Sequence, residues 1–321
     1  MMHVRVRHGD GRVEFEVPIE SLRTLADDAR ALIWLDLEAP TADEVALAGS
    51  LFDWAHLTIE DLVRRGQRAK LETFPGYTYL VMHALIYDEV SGRLSAPQVD
   101  LLIGHNYVAS VHAGAAPLLN DSRETQRRLR QMLAGGPDYL LYALTDLLVD
   151  SYFPAMERLD DALDTLQDQI VTNPSNAQMA RIFEMKRDAV LLRKAISPQL
   201  EIFSRLTTRD TGIVSEGTAL YFRDVHDHLI RTFELADGYR DLLAGTLDAY
   251  LSTVSNRMND VMKRLTVFTA LFLPITAVSG LLGMNLSSVP PWTDGVFWVL
   301  IAALLIVSTV QFVYMQRRGW I

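Results

Sequence analysis

The C-terminal end of the chain carries two long apolar runs, Leu265–Leu286 and Val296–Tyr314, separated only by Ser287–Gly295. Each is long enough to cross a bilayer as a helix, which takes about 20 residues. Two apolar helices buried in a large soluble core are the alternative, but both runs exceed the usual length of a core helix. Upstream the pattern is that of a soluble body. Arg12–Val17, Leu32–Leu37, Tyr77–Tyr87, Val99–Ile103 and Tyr107–Val111 read as strands, with β-branched and aromatic residues between turn signals. Thr41 and Thr58 read as N-caps of short helices, each followed by acids in the first turn. An α/β domain over residues 1–115 is therefore expected. From Asp121 to Arg205 the pattern is helical, with breaks predicted at Gly135-Gly136-Pro137, at Asn173-Pro174 and at Pro198. Residues 116–263 are expected to form a helical region with a long stalk helix, and residues 264–321 a hairpin of two spans with a basic tail.

From Glu216 the helical pattern runs toward the first apolar run without a proline until Pro274. Val225, Leu229, Ala236, Leu243, Leu247, Val254, Met258, Val261 and Leu265 recur at steps of three and four or their sums, as on a helix packed along one stripe. Unbroken to Leu286, such a helix is on the order of 100 Å long at about 1.5 Å per residue. One chain cannot cover every side of it, so a bundle of identical helices is expected. A second stripe is polar. Asp248, Ser255, Met262, Thr269 and Thr276 repeat every seven residues, beside Ser252, Asn259, Thr266, Leu273 and Gly280. Polar side chains in lipid cost free energy unless they face a partner or water. The stripe fits helix–helix packing through small residues, and it fits a water-filled axis. Asp248 and Asn259, on the same face before the apolar run, favour the axis. Met262 and Leu273 interrupt the polar run and fit either hydrophobic constrictions or packing residues. Pro274 removes one helix hydrogen bond and is expected to bend the helix.

Charge sharpens this picture. The 321 residues carry 30 Lys and Arg against 40 Asp and Glu, a formal charge of −10. That balance argues against nucleic acid as partner and for attraction of cations. There are no cysteines, which excludes disulfides and thiolate metal sites. The N-terminus, from Met1 to Arg7, has no apolar core of a secretion signal. Lys263 and Arg264 precede the first apolar run and Arg317 and Arg318 follow the second, while no Lys or Arg lies between them. The positive-inside bias then puts both termini in the cytoplasm, with two spans in the cytoplasmic (inner) membrane. The four basic residues form a collar that anchors to lipid headgroups, repels cations from a shut pore, or both.

The turn between the spans contains Gly283-Met284-Asn285. This tripeptide, at the end of the first of two C-terminal spans and ahead of a basic tail, resembles the signature of the CorA family of divalent metal-ion transporters within the CorA/ZntB superfamily. The resemblance continues through Tyr221-Phe222-Arg223-Asp224-Val225, Asp248-Ala249-Tyr250-Leu251, Val254-Ser255-Asn256-Arg257, Val261-Met262-Lys263-Arg264-Leu265-Thr266, Pro274, Thr276 and the ending Arg317-Arg318-Gly319-Trp320-Ile321. It implies an α+β cytoplasmic domain (an α/β sandwich), long stalk helices and a transmembrane hairpin, assembled as a homopentameric funnel. Carried over by position, Asn285 rings the outer mouth. Thr276, Leu273, Leu265, Met262 and Asn259 lie down the pore, and Asp248 lies in the funnel. Leu265 is the one position that periodicity assigns to the packing stripe instead. Mg²⁺ gives up its water reluctantly. A ring of neutral amide oxygens from Asn285 suits a hydrated ion that must bind weakly enough to leave. Asn285 also fits a helix C-cap, and the two roles are compatible.

The resemblance also puts Asp224 where the family has an acidic ligand for a regulatory divalent ion between subunits. His228 lies one turn further on the same helix face. The partner carboxylate is expected from the N-terminal domain, with Asp88 and Glu89 as candidates. A solvated charged face is the plain alternative for Asp224 and His228. The acids Glu157, Asp161, Asp164 and Asp168 recur at helical spacing and either concentrate cations or form a solvated face. For the cargo, Mg²⁺ is expected, with Co²⁺ or Ni²⁺ as substitutes. The loop Leu286-Ser287-Ser288-Val289-Pro290-Pro291-Trp292, whose only nearby acid is Asp294, is closer to the zinc-transporting ZntB branch, so Zn²⁺ transport, with or without proton coupling, is the alternative. His226 and His228 are two apart and do not face each other on a helix, and no His pair at i, i+4 suggests a zinc-ligand face. A non-conducting membrane scaffold or metal sensor is a further alternative. No P-loop, Gly-x-Ser-x-Gly or His-Glu-x-x-His is present, and His105 and His112 near strand-like segments read as structural, so no enzyme is expected.

Overall fold

The computed structural model describes residues 1–114, 123–208, 212–283 and 294–320. Its backbone contacts divide the chain into two compact units, Met1–Gln169 with Ser175–Thr246, and Ile170–Pro174 with Leu247–Ile321.

In the first unit β1 (Met2–Arg7), β2 (Val13–Phe15), β3 (Leu32–Glu38), β4 (Lys70–Phe74), β5 (Tyr77–His83), β8 (Gln98–Gly104) and β9 (Tyr107–His112) form a seven-stranded sheet in the order β2-β1-β3-β9-β8-β5-β4. β3 and β9 pair in parallel at its centre and all other neighbours are antiparallel. Both faces of the central strands are covered, which is why Leu32–Leu37 reads as a continuous apolar run broken only by Asp36. Val4, Ile33, Leu35, Tyr79, Leu102 and Ala109 point to one face. There they pack with side chains of α1 (Leu22–Ala26), α2 (Ala42–Leu51) and α3 (His56–Arg64). The other face meets α4 (Arg123–Ala134), α5 (Pro137–Asp150) and α7 (Asn176–Thr207). A separate hairpin, β6 (Ile86–Asp88) with β7 (Arg93–Ser95), also lies against α7.

Several local rules hold as expected. Thr41 caps α2, accepting from the Glu44 backbone N–H at 3.2 Å while Glu44 accepts from the Thr41 N–H at 2.8 Å. Gly136, at φ +99°, adopts a backbone that side chains resist, and Pro137 then opens α5. α6 (Tyr152–Thr172) ends before Asn173-Pro174, and Ser175 caps α7.

Other expectations need correction. Thr58 is no cap: it lies inside α3, which starts after Ala55, and its buried hydroxyl meets the Tyr77 hydroxyl at 2.8 Å. Pro198 does not break the helix; it sits within α7. Its missing N–H leaves the Lys194 carbonyl without its helix donor. Buried Leu192, Ile196, Ile202 and Phe203 on both sides hold the helix through that point. Gln199 adds Nε2–H to the Ala195 carbonyl at 2.7 Å. The strand expected over Tyr77–Tyr87 divides between β5 and β6, and that over Arg12–Val17 shortens to β2. β1 and β4 were not anticipated, although β1 alternates apolar and polar residues from Met2 to Arg7 with Val4 and Val6 buried; cross-strand pairing defines both.

Two polar networks cross the sheet. On the α4/α5 face the Ser110 hydroxyl donates to Asp36 at 2.5 Å and receives the Trp34 indole N–H at 3.0 Å. His112 Nε2 meets the same Asp36 oxygen at 3.1 Å. Burial is the largest single influence on each and works against both charges, but the hydrogen bonds and charge attraction together outweigh it. They raise the His112 pKa through Asp36 and the Gly114 carbonyl, and lower that of Asp36 through His112, Ser110 and Arg5. On the other face Asp100 accepts from Tyr79 at 2.8 Å and from Gln98 at 2.7 and 2.9 Å. Burial still pushes Asp100 up to about 6, from an ordinary 3.8. A proton held more tightly in the folded state stabilises it fully below the ordinary acid pKa, and that contribution is lost as pH rises through the folded value. Asp100→Asn removes this dependence. The stability of the variant relative to the parent should therefore rise between about pH 4.5 and about pH 7. A difference in denaturation midpoint that stays flat over that range would refute the assignment.

Candidate cation path and regulatory cluster

α8 (Glu216–Leu282) is one helix with Pro274 inside it. Over its first part Phe222, Val225, Leu229, Ala236, Tyr239 and Leu243 are buried. Tyr239 donates its hydroxyl to the Leu159 carbonyl of α6 at 3.2 Å, and Thr246 accepts the Gln167 amide at 2.8 Å. Beyond Thr246 the same apolar stripe loses its cover: Val254, Met258, Val261 and Leu265 are exposed.

The polar stripe lies in the second unit. Asp248, Ser252, Ser255, Asn259, Met262, Thr266, Thr269, Leu273, Thr276 and Gly280 are all exposed. Three threonines share one arrangement. Thr266 donates its hydroxyl to the Met262 carbonyl at 2.8 Å, Thr269 to Leu265 at 2.9 Å and Thr276 to Phe272 at 2.9 Å. Each hydroxyl proton is thus used within the helix, and the free oxygen lone pairs remain as acceptors. An acceptor row of this kind matches the outward-pointing hydrogens of water around a cation.

At the end of α8 the Gly283 N–H bonds the Ser279 carbonyl at 3.0 Å. Met284 and Asn285 lie outside the described residues. α9 (Asp294–Arg317) is a further apolar helix, and among the described residues two helices, Glu216–Leu281 and Trp298–Arg317, contain stretches long and apolar enough to cross a membrane. The basic residues are dispersed in their contacts. Lys263 lies 3.7 Å from Asp260, Arg318 stacks 5.5 Å over the Tyr314 ring, and Arg264 and Arg317 are exposed.

Within the first unit, His228 of α8 faces α5. Its Nδ1 lies 3.7 Å from Asp150, too far for a hydrogen bond, and that buried nitrogen has no hydrogen-bond partner. Asp146, Asp150 and His228 each offer a ligand atom, all within 4.8 Å of one another. Asp146 is pushed up to about 6, first by burial and then by the charge of Asp150, with Asp224 adding to the same effect and His228 and Arg128 opposing it. Closely placed carboxylates that repel one another create a demand for a cation. Asp224 is exposed one turn before His228, and its charge reaches both Asp146 and Tyr142, the latter raised to about 12 chiefly by burial. Tyr139, Tyr142 and Tyr221 pack ring to ring beside it, 5.0 to 5.6 Å apart, fixing α5 against α8.

Asp146 and Asp150 escaped the sequence reading. A signal was present: an acid pair at i, i+4 toward the end of a largely apolar helix, Pro137–Asp150. Asp88 and Glu89 sit apart, on the β6–β7 turn. Asp88 accepts from the Ser91 hydroxyl at 2.6 Å and the Val90 N–H at 3.0 Å, which lower its pKa. Glu89 pairs with Arg158 at 3.1 Å. The acids Glu157, Asp161, Asp164 and Asp168 lie on the exposed side of α6.

The chain thus combines an α/β/α unit, a long helix that carries a polar face into an apolar stretch, and a second apolar helix, both helices holding stretches long and apolar enough to cross a membrane. The family model for CorA-like Mg²⁺ transporter proteins matches residues 29–318, and the chain belongs to this family. The cobalt/magnesium transport protein CorA of Thermotoga maritima is 33% identical over 298 residues, covering 92% of this chain and 85% of that protein. Among solved structures, the CorA magnesium transporter from Methanocaldococcus jannaschii superposes with a TM-score of 0.79 at 20% identity, over 100% of this chain and 99% of that one. The full-length CmaX protein superposes with a TM-score of 0.74 at 19% identity, over 99% and 97%. These two likenesses establish the fold.

If the cluster takes a divalent ion, Asp146→Asn with Asp150→Asn should weaken Co²⁺ binding to the purified protein by at least about tenfold, or about 1.4 kcal/mol. Calorimetry on parent and variant measures this, and equal affinities would remove the cluster from metal binding.

Proposed function

We propose that this chain transports Mg²⁺, with Co²⁺ or Ni²⁺ as further cargoes, across the cytoplasmic membrane as a homopentamer restrained by cytoplasmic divalent cation. The observation that carries the reading is the exposed, largely polar face of α8, interrupted at Met262 and Leu273, in a chain whose family relative in Thermotoga maritima is a cobalt/magnesium transport protein. Repeated about a symmetry axis, this face turns Asp248, Asn259 and the back-bonded threonines toward one conduit. The exposed stripe from Val254 to Leu265 then packs on the neighbouring copy. Asn285 would ring the outer mouth and hold the ion through its waters, while Met262 and Leu273 narrow the path. Lys263, Arg264, Arg317 and Arg318 would mark the cytoplasmic edge, with both termini on that side.

Feedback would use two acidic places. Asp146, Asp150 and His228, with Asp224 beside them, bind cation within a subunit. Asp88 and Glu89 supply carboxylates toward the next subunit. Cation occupancy favours the closed ring, and its loss loosens the ring.

Flux into liposomes holding the purified full chain tests the function directly, comparing Mg²⁺, Co²⁺, Ni²⁺ and Zn²⁺ with and without a pH gradient. Mg²⁺ flux without need of a gradient is expected; transport of Zn²⁺ alone would overturn the cargo, and no flux of any ion would overturn the transporter. Asn285→Ala should lower Mg²⁺ flux by at least about tenfold, and wild-type flux would exclude Asn285 from the path. Asp248→Ala should change conductance or cation selectivity, with unaltered flux removing Asp248. Asp224→Ala should weaken inhibition by cytoplasmic Mg²⁺, and an unchanged inhibition curve would remove Asp224 from the feedback.

A further inference from the structure

The β6–β7 hairpin stands outside the main sheet, and the turn that carries Asp88 and Glu89 is open to solvent; Val90 at its tip is 97% exposed. Two strands of three residues cannot hold such a tip in place by themselves. α7 holds it. Arg181, Glu184 and Asp188 fall at i, i+3 and i+7, which places them on one helix face. They address successive residues of the hairpin. The Arg181 guanidinium donates to the Gly92 carbonyl at 2.7 Å. Glu184 accepts from Arg93 at 3.5 Å and from Arg181 at 3.2 Å. Asp188, only 8% exposed, faces the Leu94 backbone N–H, and Leu94 itself is buried.

The turn is fitted to this grip. Gly92 takes φ +63°, which side chains resist, and a Cβ there would stand 3.0 Å from the Arg181 guanidinium. Its N–H closes the turn on the Asp88 carbonyl at 2.7 Å. The residue Arg181 holds is thus the one that closes the loop around Asp88. The bond is charge-assisted and Arg181 is part-buried, so it is stronger than an exposed pair. Glu89–Arg158, by contrast, has both side chains more than half exposed.

We infer that Arg181 is a positioning residue for cation feedback, clamping the β6–β7 turn so that Asp88 and Glu89 are presented in one fixed place. This rests on the reading above that those two acids serve the feedback. The clamp lowers the ordering cost that a flexible turn would incur whenever cation binds.

The test is Mg²⁺ flux of the full chain in liposomes, titrating Mg²⁺ on the side of the soluble domain. Arg181→Gln should raise the half-inhibiting Mg²⁺ concentration at least about threefold while leaving the uninhibited rate as in the parent. Arg181→Lys, which keeps a charged donor, should recover part of the shift. Gly92→Ala attacks the same contact from the hairpin and should act in the same direction. Hydrogen exchange over residues 86–95 should quicken in both Arg181→Gln and Gly92→Ala. A parental inhibition curve in both variants, despite faster exchange of the hairpin, overturns the clamp. The double variant Asp88→Asn/Glu89→Gln separates the underlying reading: if it inhibits like the parent, the tip has no part in feedback and the inference falls with it. If Arg181→Gln still shifts the curve of that double variant, Arg181 acts by another route and the inference is likewise overturned.

Discussion

A helix of 67 residues pairs its interior backbone groups within itself, with the single exception of the carbonyl that Pro274 leaves without its donor, and that property lets α8 run on into an apolar stretch with little cost to its backbone. Its side chains face a harder constraint. Up to Leu243 the apolar stripe is buried within the chain, and from Val254 onward it is exposed. The backbone needs no partner there, but the side-chain stripe does. The threonines solve part of the problem locally by donating to carbonyls one turn back, and what they leave uncovered is acceptor oxygen. An apolar helix edged with acceptors suits a hydrated cation better than an anion, and agrees with the acidic balance of the chain.

Electrostatic tension in the soluble unit is concentrated where α5 meets α8. Asp146 and Asp150 repel each other, and His228 presents a buried nitrogen without a partner. The tyrosines Tyr139, Tyr142 and Tyr221 supply the packing that keeps these groups together. Like charge without full pairing is costly for a static fold and useful where a cation comes and goes, because occupancy relieves the repulsion and vacancy restores it. Asp36 with His112 is the contrasting case. There every charge meets hydrogen-bond partners inside the sheet, and the arrangement is structural.

Where the chain spoke in periodicity, the sequence was legible. The seven-residue recurrence from Asp248 to Gly280 maps onto one continuous exposed helix face, and the capping box at Thr41 and the break at Gly136-Pro137 depend only on neighbours in sequence. Pro198 misled because tertiary burial outweighed one missing hydrogen bond. Thr58 misled because a hydroxyl that resembles a cap was used by Tyr77, a residue on another element. Asp146 and Asp150 were overlooked because acids on a helix usually meet solvent, and nothing local reveals that His228 lies opposite.

The sequence by itself determined the two apolar helices, the polar edge of α8 and the family, since spacing, hydropathy and a signature tripeptide are properties of neighbouring residues. Only the tertiary structure decided the pairing of β3 with β9, the meeting of α5 acids with His228 and the grip of α7 on the β6–β7 turn. Those contacts join residues far apart along the chain, and their energy depends on burial and distance, which linear spacing does not carry.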